Sequence, residues 1–384
     1  MTGLKKIAIM GNTSWSVYNF RLGLIRMLKD LGCKVFVIAP KDSYSNRLVE
    51  EGVEFVHIDL FNYNNNITRD IFLPFKLSKI YKELELDFIF NYTLKPSVFG
   101  AYASALCKIP SISVITGLGF YKSTNNPLIK LSLSILLKTS LFFNKEVWFL
   151  NHDDRETFIR KGLVPARKVF VLPSEGVNVK RYHPKNIAKS ASQNKITLTF
   201  ASRLIKEKGV KEFVQAARYF KNRNIHVNFQ LIGSTEPLHP SGITAEEVEV
   251  WEREGIIEYL GFKDDIRPSL WESDCLVFPS YYGEGVPRIL LEAASMGIPI
   301  ITTENVGCKE VVEDGHNGFL CKSRNEKSLI EKVMIFINLE ISKRKELGIN
   351  GRKKMLEQFS EEMILKYYEN TMNKYFSLGS LPPQ

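Results

Sequence analysis

The chain has 384 residues, of which 44% are hydrophobic and 24% charged, and its formal net charge is +10. This length exceeds one ordinary core and predicts two domains, and the composition excludes a disordered or fibrous protein. The longest apolar stretch, residues 127–143, is interrupted by Lys130 and Lys138 and is too short to cross a membrane. The first residues are typical of a strand rather than a signal peptide, so we expect a cytosolic protein.

Short apolar runs alternate with helix-length segments along the first half of the chain. The predicted strands are residues 6–10, 35–39, 55–58, 88–90, 111–115 and 147–150. The predicted helices are residues 18–31, 46–51, 75–83, 98–106 and 128–142. This alternation is typical of a parallel sheet with helices on both faces.

The alternation stops near residues 169–178, and the polar residues 185–194 indicate a linker. It then restarts with predicted strands at residues 196–201, 228–232, 257–260, 275–279 and 299–303. The predicted helices of this half are residues 210–220, 244–254, 266–271, 287–296 and most of 326–375. The sequence therefore predicts an α/β protein of two doubly wound domains, with ligands in a cleft at the carboxyl ends of both sheets.

The net positive charge comes from the first half of the chain. Residues 1–185 hold 26 Lys and Arg against 15 Asp and Glu, whereas residues 186–384 hold 26 against 27. This asymmetry predicts a negatively charged partner, such as nucleic acid, an anionic membrane or a phosphorylated substrate, unless the lysines merely keep the surface soluble. Residues 128–143 are a candidate membrane contact. A helix that is apolar most of the way round is usually core, however, and that is what we expect here.

Residues 278–292 combine a strand end, a glycine-bearing loop and a helix that opens at Pro287. The backbone N–H groups of such a loop and helix start bind anions. Glu284 lies in the loop and Glu292 lies one and a half turns into the helix, where side chains lean toward the N-terminus. Carboxylates accept hydrogen bonds from paired sugar hydroxyls. The spacing alone suits two solvated glutamates, but this context favours a sugar-binding site.

Two cations follow the first strand of the second half. Arg203 and Lys208 are expected at the carboxyl edge of the sheet, where a guanidinium and an ammonium group suit a diphosphate. The alternative is that both form ordinary surface ion pairs. Gly233 and Gly261 end two further strands, and glycine there lets the backbone approach a base or a ribose.

These motifs resemble the family 4 retaining glycosyltransferases. The similarity rests on Arg203 and Lys208, on the E-G-V-P…E pattern of residues 284–292, and on G-C-K-E-V-V-E-D-G-H-N-G at residues 307–318. It is closest to the bacterial branch that makes capsule, O-antigen and lipid-linked oligosaccharides, which residues 19–21, 92–96 and 116–120 also fit. The resemblance implies a GT-B fold, in which two Rossmann-like domains face each other across a cleft.

The resemblance also implies a division of the chain and a role for each motif. Residues 1–180 would bind the acceptor and residues 181–360 the nucleotide sugar, with a last helix near residues 361–375 returning to the first domain. Arg203 and Lys208 match the diphosphate-binding pair of the family, and Glu292 matches the glutamate on the nucleotide ribose. Glu284 matches the glutamate that faces the donor sugar. The catalytic candidates are thus Arg203, Lys208 and Glu284, and the donor site adds Gly233, Gly261, Gly285, Val286, Pro287 and Glu292.

The acceptor side is less defined. We expect the acceptor cleft to be lined by Asn12, Thr13, Ser14, Thr116 and Gly117. Many relatives carry a histidine in the first domain, but none of the six His of this chain lies in residues 91–120. No acid or base is therefore named, which is compatible with a front-face retaining mechanism. The sequence has no D-x-D motif, so we expect no metal and no other cofactor.

The resemblance favours a transferase that moves a sugar from a nucleotide-diphosphate sugar to a polyprenyl-diphosphate-linked or other saccharide. The favoured donor is a UDP-sugar. We expect it to act at the inner face of the cytoplasmic membrane as a peripheral protein, with an anionic membrane surface and no nucleic acid as partner. One alternative is a UDP-N-acetylglucosamine 2-epimerase of the same fold. Another is a non-catalytic membrane-binding or polysaccharide-binding protein.

Overall fold

The computed structural model describes residues 4–60, 71–118, 126–185 and 195–376. The chain divides into two compact units, one formed by Met1–Gly176 with Glu361–Gln384 and the other by Val177–Ser360. Each unit contains one parallel sheet with helices around it, so the predicted fold class is confirmed. The predicted linker lies outside the described residues except for its first residue, and so do residues 119–120 of the predicted acceptor segment.

The first unit is built on seven parallel strands. They are β1 (Lys6–Met10), β2 (Lys34–Ala39), β3 (Glu54–His57), β4 (Phe88–Tyr92), β5 (Ser111–Ile115), β6 (Glu146–Phe149) and β7 (Val169–Val171). Their order in the sheet is β3-β2-β1-β4-β5-β6-β7. The chain runs outward from β1 to β3 and then returns to place β4 beside β1. The loops after β1 and β4 therefore diverge, which leaves a crevice at the carboxyl edge of the sheet.

Six helices connect these strands within the described residues. They are α1 (Ser14–Asp30), α2 (Ser45–Glu50), α3 (Leu73–Leu84), α4 (Leu94–Cys107), α5 (Pro127–Phe143) and α6 (His152–Arg160). Helix α1 begins four residues before its predicted start. The hydroxyl of Thr13 accepts a hydrogen bond from the backbone N–H of Ser16 at 3.1 Å and caps the helix. This is the usual role of threonine at such a position.

Helix α5 is not the core helix that the sequence favours. Its buried residues are Leu137, Ser140 and Leu141. Its opposite side exposes large apolar residues, among them Leu131 and Ile135. The expectation that this helix is core is therefore wrong, because only one face of it packs on the sheet and on α4. In the part of the chain that the structure describes, no helix is long and apolar enough to span a membrane.

The second unit is built on six parallel strands. They are β8 (Ile196–Ala201), β9 (Val227–Ile232), β10 (Glu258–Tyr259), β11 (Cys275–Phe278), β12 (Ile300–Thr303) and β13 (Gly318–Cys321). Their helices are α7 (Val210–Asn222), α8 (Ala245–Arg253), α9 (Arg267–Glu272), α10 (Arg288–Ser295), α11 (Cys308–Val311), α12 (Glu326–Asn338) and α13 (Ile341–Lys354). The sheet order is β10-β9-β8-β11-β12-β13. The order therefore reverses between β8 and β11, and the loops after these two strands border the crevice.

The last described helix, α14 (Glu361–Phe376), belongs to the first unit. The ring of Tyr368 packs on Phe90 and Trp148 at centroid distances of 5.4 and 5.0 Å. Its hydroxyl accepts a hydrogen bond from the hydroxyl of Tyr92 at 3.0 Å. In the last turn of the helix, Lys374 pairs with Glu146 at 2.6 Å. Aromatic packing and this ion pair together fix the C-terminal segment on the first unit.

Candidate active site

The loop after β8 brings the two predicted cations to the point where the second sheet reverses its strand order. Arg203 is exposed, and no carboxylate among the described residues forms an ion pair with it. Lys208 stands five residues further along the same loop. A guanidinium and an ammonium group at this edge of the sheet are groups that suit a diphosphate.

Lys208 is not a surface residue. It is only 8% exposed, and its Nζ lies 2.6 Å from Oε1 of Glu284 in the loop after β11. The same oxygen accepts a hydrogen bond from the hydroxyl of Ser280 at 3.2 Å. Nζ also lies over the rings of Phe278 and Tyr282, at 5.5 and 5.3 Å from their centroids. Two of the predicted catalytic residues therefore form one partly desolvated pair.

Burial lowers the pKa of the Lys208 ammonium from its ordinary value of 10.5, and the charge of Glu284 opposes this effect. The group therefore loses its proton at a lower pH than a solvated lysine. If its charge stabilises the leaving group, kcat/KM falls as the pH rises through this lowered pKa. We expect Lys208→Arg to move the alkaline limb of the kcat/KM profile to higher pH, because a guanidinium stays charged. An unchanged alkaline limb in the variant contradicts this role.

The loop after β11 is held in place by its neighbours. The backbone N–H of Tyr281 donates to the carbonyl of Glu207 at 2.9 Å. The carbonyl of Ser280 accepts from the hydroxyl of Thr303, and the carbonyl of Tyr282 accepts from the side-chain amide of Asn305 at 2.8 Å. These bonds come from the loop after β8 and from β12 with its following turn. They give Glu284 a defined position at the end of β11.

A glycine permits the close approach of another loop to this one. Gly307 has φ +83°, and a Cβ atom there would overlap the carbonyl oxygen of Gly285. Pro287 is the N-cap residue directly before α10, whereas the sequence predicted it as the first residue of the helix. In the first turn of α10 the backbone N–H of Leu290 donates to the carbonyl of Pro287 at 3.1 Å. The start of an α-helix in general presents N–H groups that have no acceptor inside the helix. Gly285, Val286 and Pro287 thus lead from Glu284 to a helix end that favours anions.

Glu292 lies on α10 and is largely buried. Its Oε1 accepts a hydrogen bond from Nε of Arg288 at 3.1 Å. Burial raises the pKa of the Tyr182 hydroxyl, and the negative charge of Glu292 adds to this effect. A carboxylate has about four acceptor positions. The bond from Arg288 therefore orients Glu292 and leaves acceptor positions for the hydroxyls of a ligand.

The two predicted glycines differ in what surrounds them. Gly233 has φ +148°, and a Cβ atom there would overlap the carbonyl oxygen of Ser202, directly before Arg203. Gly261 has φ +67° with no atom within 4 Å of such a Cβ. Its carbonyl accepts the backbone N–H of Gly233 at 3.0 Å. The close approach of the loops after β8 and β9 thus requires glycine at position 233.

This contrast gives a matched pair of substitutions. Gly261→Ala is expected to lower the free energy of unfolding by about 1–2 kcal/mol, from the left-handed backbone alone. Gly233→Ala adds an overlap with backbone, which costs about 1–3 kcal/mol more. Urea unfolding of both variants measures the difference. Equal losses contradict the assigned contact between Gly233 and Ser202.

In the first unit, the predicted acceptor residues lie at the carboxyl ends of β1 and β5. Thr13 caps α1, and Asn12 accepts a hydrogen bond from the hydroxyl of Ser16 at 3.3 Å. Ser14 is fully buried and bonds to the carbonyl of Pro40 and the hydroxyl of Ser45 at 2.7 and 3.0 Å. Thr116 and Gly117 follow β5 and are half-buried. Of this set, Ser14 offers no exposed group to a ligand.

Three residues near the candidate site were not predicted. Arg288 donates to Glu292, the carbonyl of Tyr182 accepts from the hydroxyl of Ser295 on α10 at 2.6 Å, and burial raises the pKa of the Cys308 thiol, at the start of α11, to about 12. The i,i+4 spacing of Arg288 and Glu292 was a usable signal. Nothing in the sequence indicates the contact of Tyr182 with Ser295, which is 113 residues away along the chain. The described residues contain no cluster of three or more His, Cys, Asp or Glu side chains that could hold a metal ion.

Family models match both halves of the chain. The family described as "Glycosyl transferases group 1" matches residues 183–354, and "Glycosyl transferase 4-like" matches residues 6–144. The chain is 30% identical over 376 residues to N,N'-diacetylbacillosaminyl-diphospho-undecaprenol alpha-1,3-N-acetylgalactosaminyltransferase of Campylobacter jejuni, covering 94% of this chain and 97% of that one. It is 24% identical to UDP-Gal:alpha-D-GlcNAc-diphosphoundecaprenol alpha-1,3-galactosyltransferase of Escherichia coli, covering 92% and 95%.

Solved structures match over nearly the whole chain. Anabaena HepE in complex with UDP-glucose has a TM-score of 0.76 at 18% identity, covering 96% of this chain and 99% of that one. Sucrose-phosphate synthase from Thermosynechococcus elongatus has a TM-score of 0.79 at 17% identity, covering 98% and 100%. These likenesses establish the GT-B fold. With the full-length relatives, they show that the chain belongs to the group 1, family 4-like glycosyltransferases and is a glycosyltransferase.

Proposed function

We propose that the protein is a retaining, metal-independent glycosyltransferase that moves a sugar from a UDP-sugar to a lipid-linked saccharide. One observation carries the donor assignment. Lys208 pairs with Glu284 where the strand order of the second sheet reverses, with Arg203 in the same loop after β8 and the first turn of α10 four residues beyond Glu284. Two cations, a helix N-terminus and an acceptor-only carboxylate are what a nucleotide diphosphate joined to a polyol requires.

Each donor-site residue then has a distinct role. Arg203 and Lys208 bind the diphosphate and stabilise the charge that grows on it as the glycosidic bond breaks. Glu284 accepts hydrogen bonds from hydroxyls of the donor sugar, and Glu292 accepts them from the ribose. Gly233 and Gly261 border the position of the base. Because two cations and a helix end already face the leaving group, no metal ion is needed to neutralise it.

Retention is supported by the names of the relatives, which specify alpha-1,3 products, one of them made from UDP-Gal. In the step that we propose, the bond between sugar C1 and the diphosphate oxygen breaks, and a bond from C1 to the acceptor oxygen forms on the same face. The acceptor proton passes to the departing diphosphate oxygen. This route needs no side chain as a base, in keeping with a first unit for which the sequence names none.

The acceptor is proposed to be a polyprenyl-diphosphate-linked saccharide, because the two relatives act on undecaprenol-diphosphate-linked sugars according to their names. Such an acceptor lies at a membrane surface. The basic first half of the chain suits an anionic one. The proposed location is therefore the inner face of the cytoplasmic membrane, with the first unit binding the acceptor.

The two alternatives that the sequence left open are not favoured. A UDP-N-acetylglucosamine 2-epimerase and a non-catalytic binding protein both lack support among the full-length relatives named above, which are transferases. The paired Lys208 and Glu284 also favour a protein that handles a nucleotide sugar.

The test begins with a thermal-shift screen over a panel of nucleotide sugars. A ligand at about 100 times its Kd stabilises the protein by about 2.7 kcal/mol. The best donor is then incubated with undecaprenyl-diphosphate-linked saccharides, and UDP release and product anomer are measured with and without a chelator. Release that depends on the acceptor, survives chelation and yields an α-linked product supports the proposal. Sugar interconversion without an acceptor, or a β-linked product, contradicts it.

A further inference from the structure

Helix α5 presents an apolar stripe to solvent. Leu131, Ile135 and Phe142 are 59%, 56% and 64% exposed, and Leu128 precedes them on the same side. The spacings of three, four and seven residues place these side chains on one face of the helix. The opposite face, with Leu137 and Leu141, packs into the core. The stripe therefore lies outside the packed core, although the ring of Phe142 contacts Phe143 at a centroid distance of 5.7 Å and lies 5.1 Å from Nζ of Lys168.

A second apolar group stands at the start of α3. Ile71, Phe72 and Phe75 are all exposed there. Helix α4 packs against both α3 and α5, so the three helices form one layer on the first sheet. Because each connecting helix runs antiparallel to the strand before it, the N-terminal ends of α3 and α5 lie at the carboxyl edge of that sheet. We name Ile71, Phe72, Phe75, Leu128, Leu131, Ile135 and Phe142 the α3–α5 face.

The charges around the α3–α5 face are positive. Helix α5 contains Lys130 and Lys138 and no acidic residue. Helix α3 contains three lysines, at positions 76, 79 and 82, and a single acidic residue, Glu83, near its end. Long lysine side chains can lie along an apolar surface and hold their ammonium groups at the level of lipid headgroups.

We propose that the α3–α5 face inserts into the interface of an anionic membrane, with α5 lying along the surface. The proposal rests on the proposed function, since a polyprenyl-linked acceptor is held in a membrane. The proposal adds to that function the surface of the first unit that contacts the membrane. A second copy of the chain fits this face less well, because a two-fold contact there brings the lysines of α5 against each other. Insertion in lipid instead pairs them with anionic headgroups.

The test uses the full-length protein and Leu131→Gln/Ile135→Gln. Glutamine has a helix propensity close to that of leucine, so α5 keeps its structure. A matched control is Ile341→Gln/Ile349→Gln on α13 of the second unit, where the two isoleucines are 68% and 67% exposed. Flotation is measured with vesicles of phosphatidylglycerol and phosphatidylcholine, and with vesicles of phosphatidylcholine alone.

We expect the α5 variant to bind phosphatidylglycerol vesicles about tenfold more weakly or worse, and the α13 variant to bind like the wild type. Wild-type binding should weaken between about 50 and 500 mM salt, since lipid charge is screened. Equal binding by both variants overturns the inference. The inference is also overturned if the wild type forms a dimer that does not bind vesicles and the α5 variant is a monomer.

UDP affinity, measured by calorimetry on the same variants, separates this inference from the proposed function. If both variants bind UDP like the wild type while only the α5 variant loses vesicle binding, the membrane face and the donor site are both supported. If the α5 variant binds both vesicles and UDP like the wild type, only the inference about the membrane face is contradicted. If the wild type does not bind UDP, the proposed function fails whatever the vesicles show.

Discussion

Replacing Lys208 with methionine is expected to lower turnover by about 10²–10³-fold, because it removes a preorganised charge aimed at the departing diphosphate. The same change leaves the Glu284 carboxylate without its cation, 2.6 Å away in the native protein. Breaking a buried ion pair costs about 3–5 kcal/mol, and the partial exposure of Glu284 places the loss toward the lower end. Lys208→Met should therefore lose both activity and stability.

The double variant Lys208→Met/Glu284→Gln separates the two effects. It removes both charges, so the stranded carboxylate disappears and most of the lost stability should return. Activity should not return, because the diphosphate still lacks its cation. Urea unfolding and single-turnover rates measure the two quantities. If the Lys208→Met enzyme turns over within threefold of the wild type, the assignment of Lys208 is wrong.

The fold of this protein could be predicted in some detail because its signals are local. The alternation of apolar runs with helix-length segments predicts parallel sheets, and both units have them. Helix α1 shows the limit of this approach. Its first turn carries Ser14, Trp15 and Ser16, which favour a loop. The helix nevertheless begins at Ser14, because the hydroxyl of Thr13 caps it by accepting a hydrogen bond from the backbone N–H of Ser16.

The burial of single side chains was harder to predict. Lys208 was expected at the carboxyl edge of the sheet, and no pattern indicated that it is buried there with Glu284, from the loop after β11, as its partner. Residues 128–143 were expected in the core, whereas the helix they form turns one apolar face to solvent. Both outcomes depend on which segments pack beside a residue. Helical or strand periodicity carries no information about that.

The candidate donor residues come together because of topology rather than sequence spacing. Arg203 and Glu284 are 81 residues apart, but they follow β8 and β11, which are neighbours where the strand order reverses. The strand-end positions of both motifs could be predicted, and so could their meeting at one edge of a sheet. The contact between Tyr182 and Ser295 of α10 could not, because it depends on how the segment that contains Tyr182 passes that helix.

The two glutamates are expected to respond differently to loss of charge. Glu292→Gln should weaken the binding of UDP and of the UDP-sugar alike by about 1.5–3 kcal/mol, since it removes a charge-assisted hydrogen bond to the ribose. The loss should vanish with 2′,3′-dideoxy-UDP, which lacks the hydroxyls that Glu292 would accept from. Glu284→Gln should leave free UDP unchanged and weaken only the sugar-bearing donor. Titration calorimetry with the three ligands measures each affinity.

If both variants weaken the binding of free UDP to the same degree, the division of roles is wrong. It is also wrong if Glu292→Gln weakens the binding of the dideoxy compound as much as that of UDP. The contact of Glu292 with Arg288 would then serve only to hold the first turns of α10 in place.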